Sequence, residues 1–440
     1  MGRYASLPID YSNRYMIQTF NPKHPWRITD NLLIPKLILF IIYPFGAWLY
    51  ALVDPRSKSS YVIFFLFSLL LCWHMAPTGL TDYYDDFLGI MERFQTSFYT
   101  LQDITEDFHL FITFDDNAPK EIYEEFLIWL TKLFSDNYHY YFLLASIPVA
   151  LCQLSVMRRI TSDARFIPGI IGLIALAMLI FPRDIITVQN PRFSTGFWVC
   201  TFAAISYYCN PRRRIIYPLL ILISPFFHSA MWLFVGIFFL SLVIPKKIRI
   251  LEIVAICSIF FAFFNADILN GVNYSFMPSS MQMWVEQYLS EEAANQYINM
   301  AGRSGFWWVG ATLDFFIMIM IFRMTLIMIQ KRQYIEQNQE FNNLYPLYLT
   351  TFTITNIIQF VPVLGTRYFW FTRILCVFMW FKAFAFSPKY NRELWLLLGA
   401  CSYRIILRYG YFMGGALATN TPPDIFAMPL PVLIYNVLSL

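Results

Sequence analysis

Charge is scarce in this sequence. Asp, Glu, Lys and Arg make up 14% of its 440 residues, against roughly 25% in a soluble domain. The net charge of +4 is spread over many short segments, so there is no basic stripe of the kind that binds nucleic acid. Metal and redox motifs are missing as well. The seven cysteines (Cys72, Cys152, Cys200, Cys209, Cys257, Cys376, Cys401) lie in or beside apolar stretches, and none forms Cys-x-x-Cys. They read as buried, unpaired thiols. The five histidines include no His-Glu-x-x-His, so neither a metal nor a cofactor is implied. There is no Gly/Ser-rich linker, coiled coil or internal repeat to divide the chain. The first thirty residues are polar and aromatic, unlike a cleavable signal peptide.

What fills the chain is apolar: 58% of the residues are hydrophobic and 19% are Phe, Tyr or Trp. Apolar runs of about 17–25 residues recur along the length, the pattern of transmembrane helices. The fold class expected is an all-α polytopic membrane protein with about 12 spans, in a range of about 11–13. The spans fall at 31–52, 60–77, 138–157, 166–182, 192–208, 214–226, 229–244, 249–268, 305–330, 345–364, 368–386 and 393–410. Residues 1–30 form a polar tail, 31–410 a single transmembrane domain and 411–440 an outer-face tail.

Loop charge sets the orientation. Arg158-Arg159, Arg212–Arg214, Lys246-Lys247, Lys331-Arg332 and Lys389/Arg392 mark the cytoplasmic side. The 78–137 loop is acidic, with Arg93, Lys120 and Lys132 as its only Lys or Arg, and belongs outside with 269–304. Within it, FLGIMERFQTSFYTL and EIYEEFLIWLTKLF read as helices. About thirty residues separate Arg214 from Lys246, too few for two full crossings. A hairpin of two short helices is therefore expected over 214–244, with His228 near its tip. One conflict stands. Counting crossings puts the N-terminal tail outside, yet it carries Arg3, Arg14, Lys23 and Arg27 against Asp10 and Asp30. Either the tail is an exception to the charge rule, or 31–52, which contains Pro35, Lys36 and Pro44, does not fully cross.

Charges at the edges of apolar segments usually mark function or pairing. In this topology Arg183 and Arg192 flank a short outer turn in RDIITVQNPRFSTGFW, and His228 tips the hairpin. Arg367 and Arg373 open a late helix, Arg404 and Arg408 share one helix face, and Arg303 ends an outer loop. Guanidinium groups converging on one face suit a phosphate or diphosphate. The acidic, aromatic outer loop suits sugars. Equally, an arginine at a helix end can simply snorkel to the interface, and aromatics can form the membrane belt. Asp314, inside a span, is open between structural pairing and the site.

These residues carry a resemblance. RDIITVQNPRFSTGFW followed by NPRRRIIYPLLILISPFFHSAMWLF resembles the core of the EpsG-like, Wzy-type polysaccharide polymerases. TGLTDYYDDF at 78–87 is similar to their Gly-Thr-Asp-Tyr element, EIYEEFLIWLTKLFSDNYHYYFLL to their Glu-plus-aromatic helix, and TRYFWFTRIL to their late Arg-aromatic helix start. The register of the Glu element is open among Glu121, Glu124 and Glu125.

The resemblance implies a glycosyltransferase of exopolysaccharide, capsule or O-antigen synthesis in the bacterial cytoplasmic membrane. It would move a growing glycan from undecaprenyl diphosphate to a sugar hydroxyl of the next lipid-linked repeat unit, on the outer face. Arg192 and Arg367 would hold the diphosphate, with Arg183, Arg404 and Arg408 in reserve. His228 or Asp82 would be the base, and Tyr83, Glu121, Glu124 and Gln189 would contact glycan. The partners implied are the lipid-linked oligosaccharide, the bilayer, and a flippase and chain-length regulator of the same pathway. An O-antigen ligase, a lipid-linked-glycan transporter and a membrane acyltransferase are the rival readings.

Overall fold

The computed structural model describes residues 32–74 (except 54 and 56), 85–161 (except 120), 191–262 (except 211–214 and 245–247), 282, 307–332, 336, 339–383 (except 360), parts of 392–400, and 423–439. Regular structure here is helical, with no strand among the described residues. Two described helices, spanning His139–Ile160 and Thr312–Gln330, are long and apolar enough to cross a membrane. In each, 44% of the apolar stretch is buried within the protein. The expected spans at 60–77, 192–208, 249–268, 345–364 and 368–386 overlap helices where they are described, with the break between the last two at 358–361, whereas 166–182 and most of 393–410 lie outside the described residues.

The 31–52 segment is not one helix. Helix α1 (Leu33–Ile42) ends at Tyr43, and α2 (Pro44–Val53) starts directly after it. Pro44 cannot donate to the preceding turn, which explains the break. Each helix has 10 residues, about 15 Å of rise. The Lys36 ammonium lies 5.8 Å from the centre of the Tyr50 ring. Collinear helices would hold those residues much further apart, so the chain folds back on itself. Gly46 sits inside the bend, where an added Cβ would meet the Tyr43 ring at 2.2 Å.

This hairpin lies against α3 (Lys58–Trp73). Lys36 reaches the start of α3, donating to Ser57 at 2.8 Å, Ser59 at 2.7 Å and Ser60 at 2.9 Å. Phe45, just past the bend, packs on Phe67 further along α3. Both open ends of the hairpin therefore sit beside the N-terminus of α3. Lys36 is fully buried, and the Ser57 hydroxyl also caps α3 by accepting from the Ser60 amide.

The acidic loop folds into three helices where two were expected: α4 (Asp85–Thr96), α5 (Leu101–Thr113) and α6 (Tyr123–Lys132). The first stretch read as a helix, 87–101, ends at Thr96, and an unexpected helix starts after Thr100. The Thr100 hydroxyl accepts from the Asp103 amide at 3.2 Å, while the Asp103 carboxylate accepts from the Thr100 amide at 2.8 Å. This reciprocal cap satisfies amides that would otherwise be orphaned.

Helix α7 (His139–Thr161) packs against α3 on one side and α8 (Pro191–Cys209) on the other. The 214–244 segment is the expected broken element: α9 (Ile216–Ile223), a 3-10 turn over Ser224–Phe226, and α10 (Met231–Val243). Helices α11 (Ile248–Phe261), α12 (Trp307–Gln330), α13 (Gln339–Ile357) and α14 (Pro362–Ala383) complete the bundle. Its centre is aromatic, with Phe371 of α14 at 4.3 Å from both Phe197 and Phe234. Near one end, Arg332 pairs with Glu252 at 3.1 Å and Glu336 at 2.8 Å, and Tyr345 donates to Glu252.

The C-terminal segment expected as a tail is folded where it is described. A 3-10 turn over Pro423–Phe426 places Phe426 at 5.2 Å from Phe45, and α15 (Leu430–Leu438) packs on α1. Backbone carbonyls of α15 meet His74 Nε2 at 2.9 Å and Asn137 Nδ2 at 3.3 Å.

Candidate functional site

The site forms where the acidic loop meets the 224–230 turn. Phe111 of α5 packs on Phe226 at 4.7 Å, and the Ile122 amide donates to the Phe226 carbonyl at 3.3 Å. These contacts bring the start of α6 over the hairpin. Glu121 lies just before the Ile122 that precedes that helix, and Glu124 and Glu125 lie in its first turn, where unpaired amides favour carboxylates. On the facing side Pro191 opens α8, a position that needs no N–H, and Arg192 follows. One turn later Gly196 allows the hairpin turn to sit directly on α8. A Cβ there would lie 2.9 Å from Met231 Cγ.

Arg192 joins two carboxylates, with Nη1 at 3.1 Å from Glu121 and Nε at 3.0 Å from Glu124. Arg93 of α4 takes the other oxygen of Glu124 at 2.8 Å. Glu121 and Glu124 are buried, Arg192 is 18% exposed and Arg93 42% exposed, so the cluster opens toward solvent on the Arg93 side. Behind it sits His228, whose Nδ1 accepts from the Ala230 amide at 3.1 Å and lies 3.5 Å from Glu121. Its Nε2 is 3.3 Å from Nη1 of Arg367. A neutral ring carries its proton on Nε2 with Nδ1 bonded to Ala230, or on Nδ1 toward Glu121 with Nε2 accepting from Arg367. In either tautomer the unprotonated nitrogen already accepts a hydrogen bond, from Ala230 or from Arg367.

Aromatic side chains wall this end. The Arg367 guanidinium stands 5.0 Å from the Phe193 ring centre, and Phe193 packs edge-on to His228 at 5.3 Å and against Trp370 at 5.8 Å. The Tyr368 hydroxyl donates to the Ala230 carbonyl, tying α14 to the turn. Thr195 donates to the Tyr123 hydroxyl at 3.3 Å. The Tyr141 hydroxyl is buried with no hydrogen-bond partner among the described residues.

Burial raises the Glu121 carboxyl above its usual range, and neighbouring Glu124 adds to this, against the opposing pull of Arg192 and Arg367. Burial likewise pushes Glu125 up to about 7, with Glu124 again adding and its own amide, Arg192 and Arg93 opposing. Arg93, Arg192 and Arg367 face Glu121, Glu124 and Glu125, so the formal charges cancel when all six ionise and His228 is neutral.

Of the residues singled out in the sequence, the structure brings together Arg192, Arg367, His228, Glu121 and Glu124. Asp82, Tyr83, Arg183, Gln189, Arg404 and Arg408 lie outside the described residues. Arg373, further along α14, joins none of these contacts, and Asp314 is exposed on α12. The sequence reading gave no site role to Arg93, whose signal is its isolation in an acidic loop, or to Tyr141, which carries none. Among the described residues no group of three or more His, Cys, Asp and Glu side chains is arranged to hold a metal. No protein-family model matches this chain, and no curated protein or solved structure matches it either.

Proposed function

We propose that this chain is a multi-pass protein of the bacterial cytoplasmic membrane that polymerises lipid-linked glycan repeat units on the outer face. The observation that carries the reading is the meeting of Arg192, His228 and Arg367, from three separate elements, with Glu121 and Glu124. That arrangement puts cations suited to an oxyanion beside carboxylates suited to sugar hydroxyls. Lipid as the surrounding solvent is supported by apolar side chains left uncovered. Ile215, Val243, Ile253 and Phe260 are each more than 60% exposed, a surface water would not tolerate in such a concentration.

The α1–α2 hairpin supports the second of the two topological alternatives, in which 31–52 does not fully cross. A segment that enters and leaves on one side would begin on the side where α3 begins, read here as cytoplasmic. Positive-inside then holds for the tail as for the other basic clusters.

In the reaction, a hydroxyl oxygen of the acceptor unit attacks the anomeric carbon of the donor glycan. The bond from that carbon to the diphosphate oxygen breaks, its electron pair leaves on the diphosphate, and the hydroxyl proton passes to a base. Arg367, held on the Phe193 face, stabilises the charge growing on the diphosphate. Arg192 fixes Glu121 and Glu124 toward the acceptor sugar and adds positive charge to the same space.

The test is deletion of the gene in its host, with the surface glycan separated on a gel. Deletion is expected to reduce the ladder to single repeat units, restored by wild type and not by Arg367→Ala or His228→Gln present in the membrane at wild-type level. An unchanged ladder would remove the polymerase reading. Long chains persisting on a different carrier would point to a ligase.

A further inference from the structure

Of three carboxylates on one side of the site, Glu125 is engaged differently from the others. Glu121 is held by Arg192 and Glu124 by Arg192 and Arg93. Glu125 has no ion pair with any described residue, and its Oε2 is buried with no hydrogen-bond partner there. Its side chain is only partly covered, unlike the other two. A carboxylate clamped by guanidinium groups is a poor proton acceptor, because the cation stabilises the charged form that protonation would remove. His228 is constrained as well, since in either tautomer its unprotonated nitrogen already accepts from Ala230 or Arg367.

We infer that Glu125 is the general base of glycan transfer, accepting the proton of the acceptor hydroxyl through its unpartnered Oε2. This rests on the polymerase reading and adds to it a residue that the resemblance left unassigned. As the new glycosidic bond forms, the proton moves to Glu125 and the electron pair of the broken bond leaves with the diphosphate. The charge on Glu124 beside it, and its burial, keep Glu125 basic. Arg93 of α4 and Arg192 of α8 limit that effect from the facing elements, and among the described residues the hydroxyls of Tyr99 and of Tyr141 on α7 also lie in its field. A base effective near neutral pH is what the step requires.

The experiment uses the purified full chain in lipid nanodiscs, with lipid-linked repeat units extracted from the gene-deleted host. Wild type should extend them, with a rate that rises tenfold per pH unit in acid and levels near pH 7. Glu125→Gln should lower the rate by about 100-fold or more, abolish that acid limb and leave donor retention unchanged. Glu125→Asp, which keeps the carboxylate, should retain the limb at a reduced rate, and it decides the matter if Glu125→Gln is not recovered folded. An active wild type with an undiminished Glu125→Gln rate, or a limb lost in His228→Gln and kept in Glu125→Gln, overturns the assignment and spares the polymerase reading. A folded wild type that extends nothing overturns both.

Discussion

Arg192→Ala should act first on stability. The substitution leaves the buried Glu121 without its guanidinium partner, while Glu124 keeps Arg93. Breaking a buried ion pair from one side costs about 3–5 kcal/mol, because the remaining charge is uncompensated. The surviving Arg93–Glu124 contact and the 18% exposure of Arg192 place this case near the lower end, about 3 kcal/mol. Equilibrium unfolding of the full chain by SDS in mixed micelles measures it. Adding Glu121→Gln to Arg192→Ala should recover half or more of the loss, since a neutral amide tolerates the site and the charge is gone. Acidification should rescue the single variant. The Glu121 carboxyl already binds protons more readily in the folded state than usual, and losing Arg192 strengthens that tendency. Its contribution is thus favourable at low pH and is lost as pH rises through the folded value. Arg192→Ala within about 0.5 kcal/mol of wild type, or no recovery with Glu121→Gln, would refute the reasoning.

Two further outcomes follow from the hairpin. Lys36→Met should cost only about 1–2 kcal/mol, because Ser57 remains bonded to Ser59 at 3.0 Å and to Ser60 at 2.9 Å. Ser59→Ala with Ser60→Ala should cost more, about 3 kcal/mol, because it strips acceptors from a buried ammonium; the reverse order in the same unfolding assay would exclude this account. In intact cells, with native cysteines replaced, Ser12→Cys should be protected from a membrane-impermeant maleimide and Asp116→Cys labelled. Labelling of both would place the tail outside and contradict the hairpin orientation.

The parts of this arrangement legible in the sequence are those written in local spacing. Two basic clusters thirty residues apart imposed a short broken element, and α9, the turn and α10 have that form. Arg192, His228 and Arg367 stood out because charge beside apolar runs is costly. Their partners were not legible, since Arg192 meets carboxylates 71 and 68 positions earlier, and no spacing encodes a tertiary pair. Hydropathy could not separate 31–52 as one helix from the same residues folded back, because both bury the same apolar surface. Proline and lysine there raised the question, and the contacts of Lys36 answered it. The start of α5 was written as Thr-x-x-Asp at Thr100 and Asp103, but the helix reading stopped at Leu101 and passed over the cap.

The α1–α2 hairpin has a consequence for how the protein is made. Neither ten-residue helix can arrest a translocating chain on its own, and the serines that receive Lys36 come only with the helix synthesised next. Its bend is then covered by Phe426, and α1 by α15. The two helices of the hairpin are therefore sealed by residues far downstream of them, and their final packing waits until those residues have been made.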